Sequence, residues 1–243
     1  MATLLLLGAL AAAHPDLAGA ARQGAHWRFS TERGAVYAWH PGGLESGRCA
    51  VVVYVHGYYV DVGQAWEEHR LEEQFAASGI DAVFVAPEAP SGNGQPVSWP
   101  RLSELLETVY SGAGIERCRG GPVVAVGHSG AFRTIASWLD EGLLCEIVLI
   151  DALYARELQF ERWLRQDPSS RRLIVVADLT RAGAGRLAKR FPDALRLPRL
   201  RAPATADERR APLAIFEGAF GHFALITEGT ALPLLLSWSR LST

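Results

Sequence analysis

A three-layer α/β/α sandwich with a mostly parallel central sheet is the fold class that the sequence predicts, on three observations. Apolar strand-like runs alternate with helix-like segments along almost the whole chain. Several of those runs are apolar at successive positions, as in CAVVVYVHG, which suits strands buried on both faces. No stretch is rich enough in Pro, Gly or Ser to divide the 243 residues, so one domain over 21–243 is expected.

The elements follow in order. HWRFSTERGAVYAWHPGG reads as two short strands about the turn TERG, and CAVVVYVHG as a buried strand. QAWEEHRLEEQFAASG places Trp66, Leu71 and Phe75 near helical spacing, with Gly79 as the stop. IDAVFVAPEAP is the next strand, and SWPRLSELLETVYSG a helix with Pro100 at its start. GPVVAVG is a strand, SGAFRTIASWLDEG a helix ending at Gly142, CEIVLID a strand and ARELQFERWLRQ a helix. RRLIVVAD is a strand, RAGAGRLAKRF a helix, PLAIFEG the last strand and GTALPLLLSWSRL the closing helix. Residues 197–212, LPRLRAPATADERRAP, read as the most loop-like part. Strand–helix repeats of this kind put helices on both faces of the sheet.

Composition narrows the function classes. Hydrophobic residues make up 49% and charged residues 21%, as in an ordinary globular protein, and the net charge is -2. That balance carries no basic footprint for nucleic acid. The first 20 residues, MATLLLLGALAAAHPDLAGA, hold an apolar run from Leu4 to Ala13 followed by small-residue cleavage sites. The run is short for a membrane span, so residues 1–20 read as a signal peptide and the mature chain as exported, periplasmic or secreted. No Lys or Arg precedes the run, and the alternative is an uncleaved, buried N-terminal segment of a cytoplasmic domain. Histidines and carboxylates form no metal-binding pattern, and RAGAGR lacks the Lys-Ser/Thr of a phosphate loop, so no metal and no cofactor are expected.

The chemistry concentrates in VVAVGHSGAFRT, where an apolar strand leads into Ser129 and a helix-like segment leads out. Gly127, Gly130 and Ala131 are small neighbours that a sharp strand-to-helix elbow requires, and such an elbow exposes the serine hydroxyl at the strand end. A catalytic serine also needs a base and N–H donors for a developing oxyanion. His222, in EGAFGHFALI, is the one histidine downstream of Ser129, on a Gly-flanked loop after the last strand. Upstream, VVVYVHGYY ends a buried strand at His56-Gly57, where a loop can bring the Tyr58 amide beside Ser129.

Together these residues resemble the α/β-hydrolase superfamily: an HG oxyanion turn at His56-Gly57-Tyr58, a nucleophile elbow from Gly127 to Ala131, and a late histidine at His222. The resemblance covers nearly the whole chain after the leader and implies an eight-stranded, mostly parallel sheet. Members of the superfamily often insert a lid after the sixth strand, but the segment between Asp151 and Arg171 has room for one helix at most, so no large cap domain is expected. The resemblance also implies hydrolysis of a carboxylic ester, or an amide, on a small-molecule acyl substrate. Ser129 would attack, His222 would carry the proton, and the Tyr58 and Gly130 amides would hold the oxyanion. Two aspartates end strands between Ser129 and His222, Asp151 in VLIDALY and Asp178 in IVVADLT, and both stand as candidates for the acid. Tyr59, Trp99, Tyr154 and Trp163, with His56, Gly57 and His128, are the expected pocket lining. In that fold Cys49, Cys118 and Cys145 begin neighbouring strands at the opposite sheet edge, where two of them could pair or all remain free thiols. A non-catalytic binding protein on the same fold, or an acyltransferase using the same residues, are the rival readings.

Overall fold

The computed structural model describes residues 24–42, 49–203 and 205–242; the leader read over 1–20 lies outside them. Nine strands form one sheet: β1 (Ala25–Thr31), β2 (Gly34–His40), β3 (Val51–Val55), β4 (Val83–Pro87), β5 (Val123–His128), β6 (Leu144–Ile150), β7 (Arg172–Ala177), β8 (Leu195–Leu197) and β9 (Leu213–Glu217). Their order is β1-β2-β4-β3-β5-β6-β7-β9-β8, which makes β5 the central strand. Only the β1–β2 and β2–β4 pairings are antiparallel. The remaining strands run parallel, so the ends of β3, β5, β6, β7 and β9 open on one edge of the sheet.

The continuous apolar runs are explained by burial on both sides. Along β3, Val51, Val53 and Val55 enter one core while Val52 and Tyr54 enter the other. Alternate residues of a strand face opposite ways, and a sheet covered on both faces therefore needs every position apolar. One face is packed by α3 (Leu102–Ala113), α4 (Phe132–Trp138), α5 (Glu157–Gln166) and α6 (Arg181–Arg190). The other takes α1 (Val62–Glu68), α2 (Leu71–Ser78), α8 (Ala224–Thr227) and α9 (Ala231–Leu236). Each Val, Leu, Ile or Phe sealed in these layers contributes about 1.5–3 kcal/mol relative to exposure.

The structure departs from the sequence reading in four places. The sheet has nine strands rather than eight, the addition being the three-residue edge strand β8, which pairs with β9. The helix read over 64–79 is two helices, because Arg70 takes a left-handed conformation at φ 50° between α1 and α2. Gln74 holds that break by donating from Nε2 to the carbonyls of His69 and Ile226. The loop-like stretch 197–212 contains a short helix, α7 (Ala206–Arg210), capped by the Thr205 side chain on the Glu208 amide. The closing helix spans only Ala231–Leu236.

Cys49 and Cys118 are bridged at the edge of the sheet away from the strand ends named above, leaving Cys145 as a free thiol. Among the described residues no helix is long and apolar enough to cross a membrane.

Candidate active site

Ser129 follows directly on the end of β5 and opens a short 3-10 turn, Ser129–Ala131, that runs into α4. Its φ is 53°, in the left-handed region that costs a non-glycine residue about 1–3 kcal/mol and persists only where the surroundings enforce it. The surroundings are tight. A Cβ on Gly57 would stand 2.8 Å from the Ser129 Cβ, and one on Gly130 would stand 2.4 Å from the Tyr58 ring. Both positions need glycine because the β3 turn and the elbow press directly on each other.

His222, carried on the loop after β9, reaches the serine: its Nε2 lies 3.0 Å from Ser129 Oγ. Its Nδ1 lies 2.7 Å from Asp151 Oδ2. An ionised carboxylate can only accept, so Nδ1 carries the proton and Nε2 presents its lone pair to the hydroxyl. Asp151, at the end of β6, is fully buried and itself strained at φ 44°. Burial alone would raise its carboxyl. The hydrogen bonds from His222, the Thr180 hydroxyl and the Thr180 and Asp178 amides outweigh that and hold it well below the usual carboxylate range. Oδ1 accepts from the amides of Asp178 and Thr180 at 3.0 Å each and from Thr180 Oγ1 at 2.8 Å. The Leu179 amide donates to Oδ2 at 3.2 Å.

The second candidate acid points elsewhere. Asp178 Oδ2 accepts from the amides of Phe220 and Gly221, at 3.1 and 2.7 Å, and Oδ1 accepts from Arg181 at 2.8 Å. The Arg181 guanidinium, then the Gly221 amide, lower its carboxyl below the ordinary value. Its side chain thus pins the loop that carries His222 without touching the imidazole.

His128, buried at the end of β5, donates from Nε2 to the His222 carbonyl at 3.0 Å, and the two rings stand 4.6 Å apart. Burial, and secondly His222, push His128 down to about 3. Burial and His56 push His69, which lies behind it, down to about 4. Unfolded histidine protonates near pH 6.5, so below that pH the unfolded chain binds protons that these folded rings refuse. Stability is therefore complete above about pH 6.5 and lost as the pH falls toward about 4 and 3. Between pH 7.5 and pH 5 the His128 contribution alone should be about 2 kcal/mol. Urea unfolding at the two pH values measures it, and His128→Gln should reduce the difference. An unchanged difference would remove His128 as its source.

The expected pocket residues divide. His56 is buried, with Nδ1 donating to the Gly57 carbonyl at 2.8 Å and Nε2 accepting from the Ala89 amide at 3.0 Å; it braces the turn from beneath. Gly57 is also buried, under Ser129. Trp99 and Trp163 are 3% and 2% exposed and belong to the core beneath α4 and α5, a correction to their placement in the pocket. Large rings near the strand ends gain more from that core than from an open edge. Tyr59 and Tyr154 are exposed, with the Tyr154 ring 6.3 Å from His222. Two exposed neighbours went unread in the sequence: Phe223, its ring 5.0 Å from that of His222, and Leu179 beside Asp151. Phe223 adjoins the candidate histidine directly, which was the available signal.

No protein-family model matches the sequence, and no curated protein matches it in sequence. Solved structures do match in shape. A ferulic acid esterase superposes with a TM-score of 0.61 at 13% identity, over 90% of this chain and 98% of its own. FphF, a fluorophosphonate-binding serine hydrolase of Staphylococcus aureus, gives 0.59 at 12%, over 91% and 99%. The S-formylglutathione hydrolase FrmB of the same organism gives 0.59 at 11%, over 90% and 98%. At such identities the likeness is one of fold. With the mostly parallel sheet, the antiparallel β2 and helices on both faces, it leads to one conclusion: the chain has the α/β-hydrolase fold.

Proposed function

We propose that this protein is a serine hydrolase that cleaves carboxylic esters through an acyl-enzyme on Ser129. The observation that carries this reading is the continuous hydrogen-bonded chain Asp151–His222–Ser129, ending on a serine held at φ 53° at the tip of the central strand. His222 takes the hydroxyl proton as Oγ attacks the carbonyl carbon, and Asp151 stabilises the imidazolium so formed. In this reading the amides of Tyr58 and Gly130 supply the oxyanion donors. The tetrahedral intermediate collapses, the leaving alcohol takes the proton from His222, and water repeats the sequence to release the acid.

Phe223 and Leu179 give the site an apolar rim, and the Tyr154 ring stands beside His222 with its hydroxyl hydrogen-bonded to Ser129. That rim suits an ester with an apolar group on the acyl or the alcohol side. The structural neighbours named as esterases and serine hydrolases support the reaction class. Amide cleavage uses the same steps, and product analysis with added alcohol or amine separates hydrolysis from acyl transfer. The Cys49–Cys118 bridge supports export to an oxidising compartment, in keeping with the leader.

The test is intact mass after treatment with a fluorophosphonate. One adduct is expected on the wild-type protein and none on Ser129→Ala. A folded wild-type protein that takes no adduct would overturn the reading in favour of a binding scaffold.

A further inference from the structure

Arg133 lies one helical turn beyond Ser129, at the start of α4. Its guanidinium faces back across the elbow. Nη1 donates to the Tyr58 hydroxyl at 3.2 Å and to the carbonyls of Gly92 and Asn93 at 3.4 and 2.8 Å, and Nη2 donates to the Gln95 carbonyl at 2.8 Å. All four partners are neutral oxygens, and no carboxylate pairs with Arg133 among the described residues. A planar fork with several fixed donors can join separate backbone segments in this way, where an ammonium cannot.

The segments it joins are those around the β3 turn. The Tyr59 amide donates to the Ser91 carbonyl at 2.9 Å, so the loop 91–95 already braces the far side of that turn. Tyr59 sits at φ 76°, a conformation that needs such bracing. The Tyr58 ring lies against Gly130, and the Tyr58 hydroxyl donates to Asn93 Oδ1 at 3.4 Å. Arg133 therefore links three things: the turn bearing the Tyr58 amide, the loop that supports it, and the helix that begins at the serine.

We propose that Arg133 is the positioning residue of the oxyanion site, fixing the Tyr58 amide relative to Ser129 by tying Tyr58 and the loop 91–95 to the elbow helix. This rests on the serine-hydrolase reading above. Arg133 touches neither substrate nor the reacting atoms. Its effect is confined to the geometry of a donor, and misplacing such a donor by about 1 Å can cost about a hundredfold in rate.

The experiment compares wild type, Arg133→Ala and Arg133→Lys on p-nitrophenyl acetate, with inhibition by phenylboronic acid, whose tetrahedral adduct mimics the oxyanion. Arg133→Ala is expected to lower kcat about ten- to a hundredfold with KM nearly unchanged. Boronate affinity should fall in parallel, and added guanidinium should restore part of the rate. Arg133→Lys should fall between the two. A general loss of structure would instead lower the melting temperature without tracking boronate affinity or responding to guanidinium. Should Arg133→Ala fail to fold, Tyr58→Phe carries the same expectation at smaller size, since it removes only the hydroxyl that the guanidinium reaches. Wild-type kcat and boronate affinity in Arg133→Ala, or in Tyr58→Phe in that event, overturn this inference alone. A folded wild type without esterase activity or fluorophosphonate labelling overturns the hydrolase reading and this inference with it.

Discussion

Asp151→Asn should lower kcat on a simple ester by about 10⁴-fold, whereas Asp178→Asn should lower it by less than about tenfold. The two substitutions are equally conservative in shape, so the contrast isolates the role of each carboxylate. At position 151 the carboxylate fixes the proton of His222 on Nδ1, and in the proposed mechanism it stabilises the imidazolium formed during attack. An asparagine there can present its NH2 group to Nδ1, which turns the lone pair away from Ser129. At position 178 the loss falls on two amide contacts, those of Phe220 and Gly221, and on the Arg181 pair. Steady-state kinetics of both variants, with circular dichroism to verify folding, settle the comparison. The reverse order of effects would transfer the acid to Asp178. Because Asp151 is held well below the carboxylate range, it stays ionised throughout the physiological window, and its stabilising contribution disappears only as the pH falls below the ordinary carboxylate value.

The second large effect concerns stability. Replacing Cys49 and Cys118 together by serine should destabilise the fold by about 4 kcal/mol, the loop-closure term for a bridge spanning 69 positions. The melting temperature should fall by about 8–16 °C for a chain of this size. The bridge closes a loop containing β3, α1, α2, β4 and α3, so the unfolded chain gains considerable freedom when it opens. It lies at the edge of the sheet remote from Ser129, so kcat well below the melting point should be preserved. Thermal unfolding of the wild type with and without reductant is the parallel measurement; identical curves would show that the bridge contributes nothing. Cys145 offers no replacement partner in reactivity, since burial, then Glu146, push its thiol up to about 11.

Much of the arrangement was legible in the sequence because it is written locally. An unbroken apolar strand ending in Gly-His-Ser-Gly-Ala is a short-range pattern, and so is the His-Gly turn after β3. His222 stood out because no other histidine follows Ser129. The choice between Asp151 and Asp178 was not legible, since both end an apolar strand with the same local pattern. What separates them is the way the chain turns after each strand: Asp151 turns at φ 44° toward the imidazole, while the Asp178 side chain faces residues 220–221. The break at Arg70 was hidden for a similar reason. No Gly or Pro marks it, and the contacts that hold it come from Gln74 and the distant Ile226. Trp99 and Trp163 lie near the strand ends in sequence, yet the direction of a side chain depends on packing, and both turn into the core.

The tripeptide Asp178-Leu179-Thr180 has no step in the proposed mechanism, yet it bridges Asp151 and the loop that carries His222. Its three amides grip the Asp151 carboxylate, and its first side chain grips the amides beside His222. The spacing of Asp151 and His222 is thus set by the length of a third segment. Over evolutionary time such a segment should accept replacements at Leu179, whose side chain faces solvent, far more readily than the gain or loss of a single residue. An insertion there would move both grips at once, and Asp151 and His222 would lose their common reference.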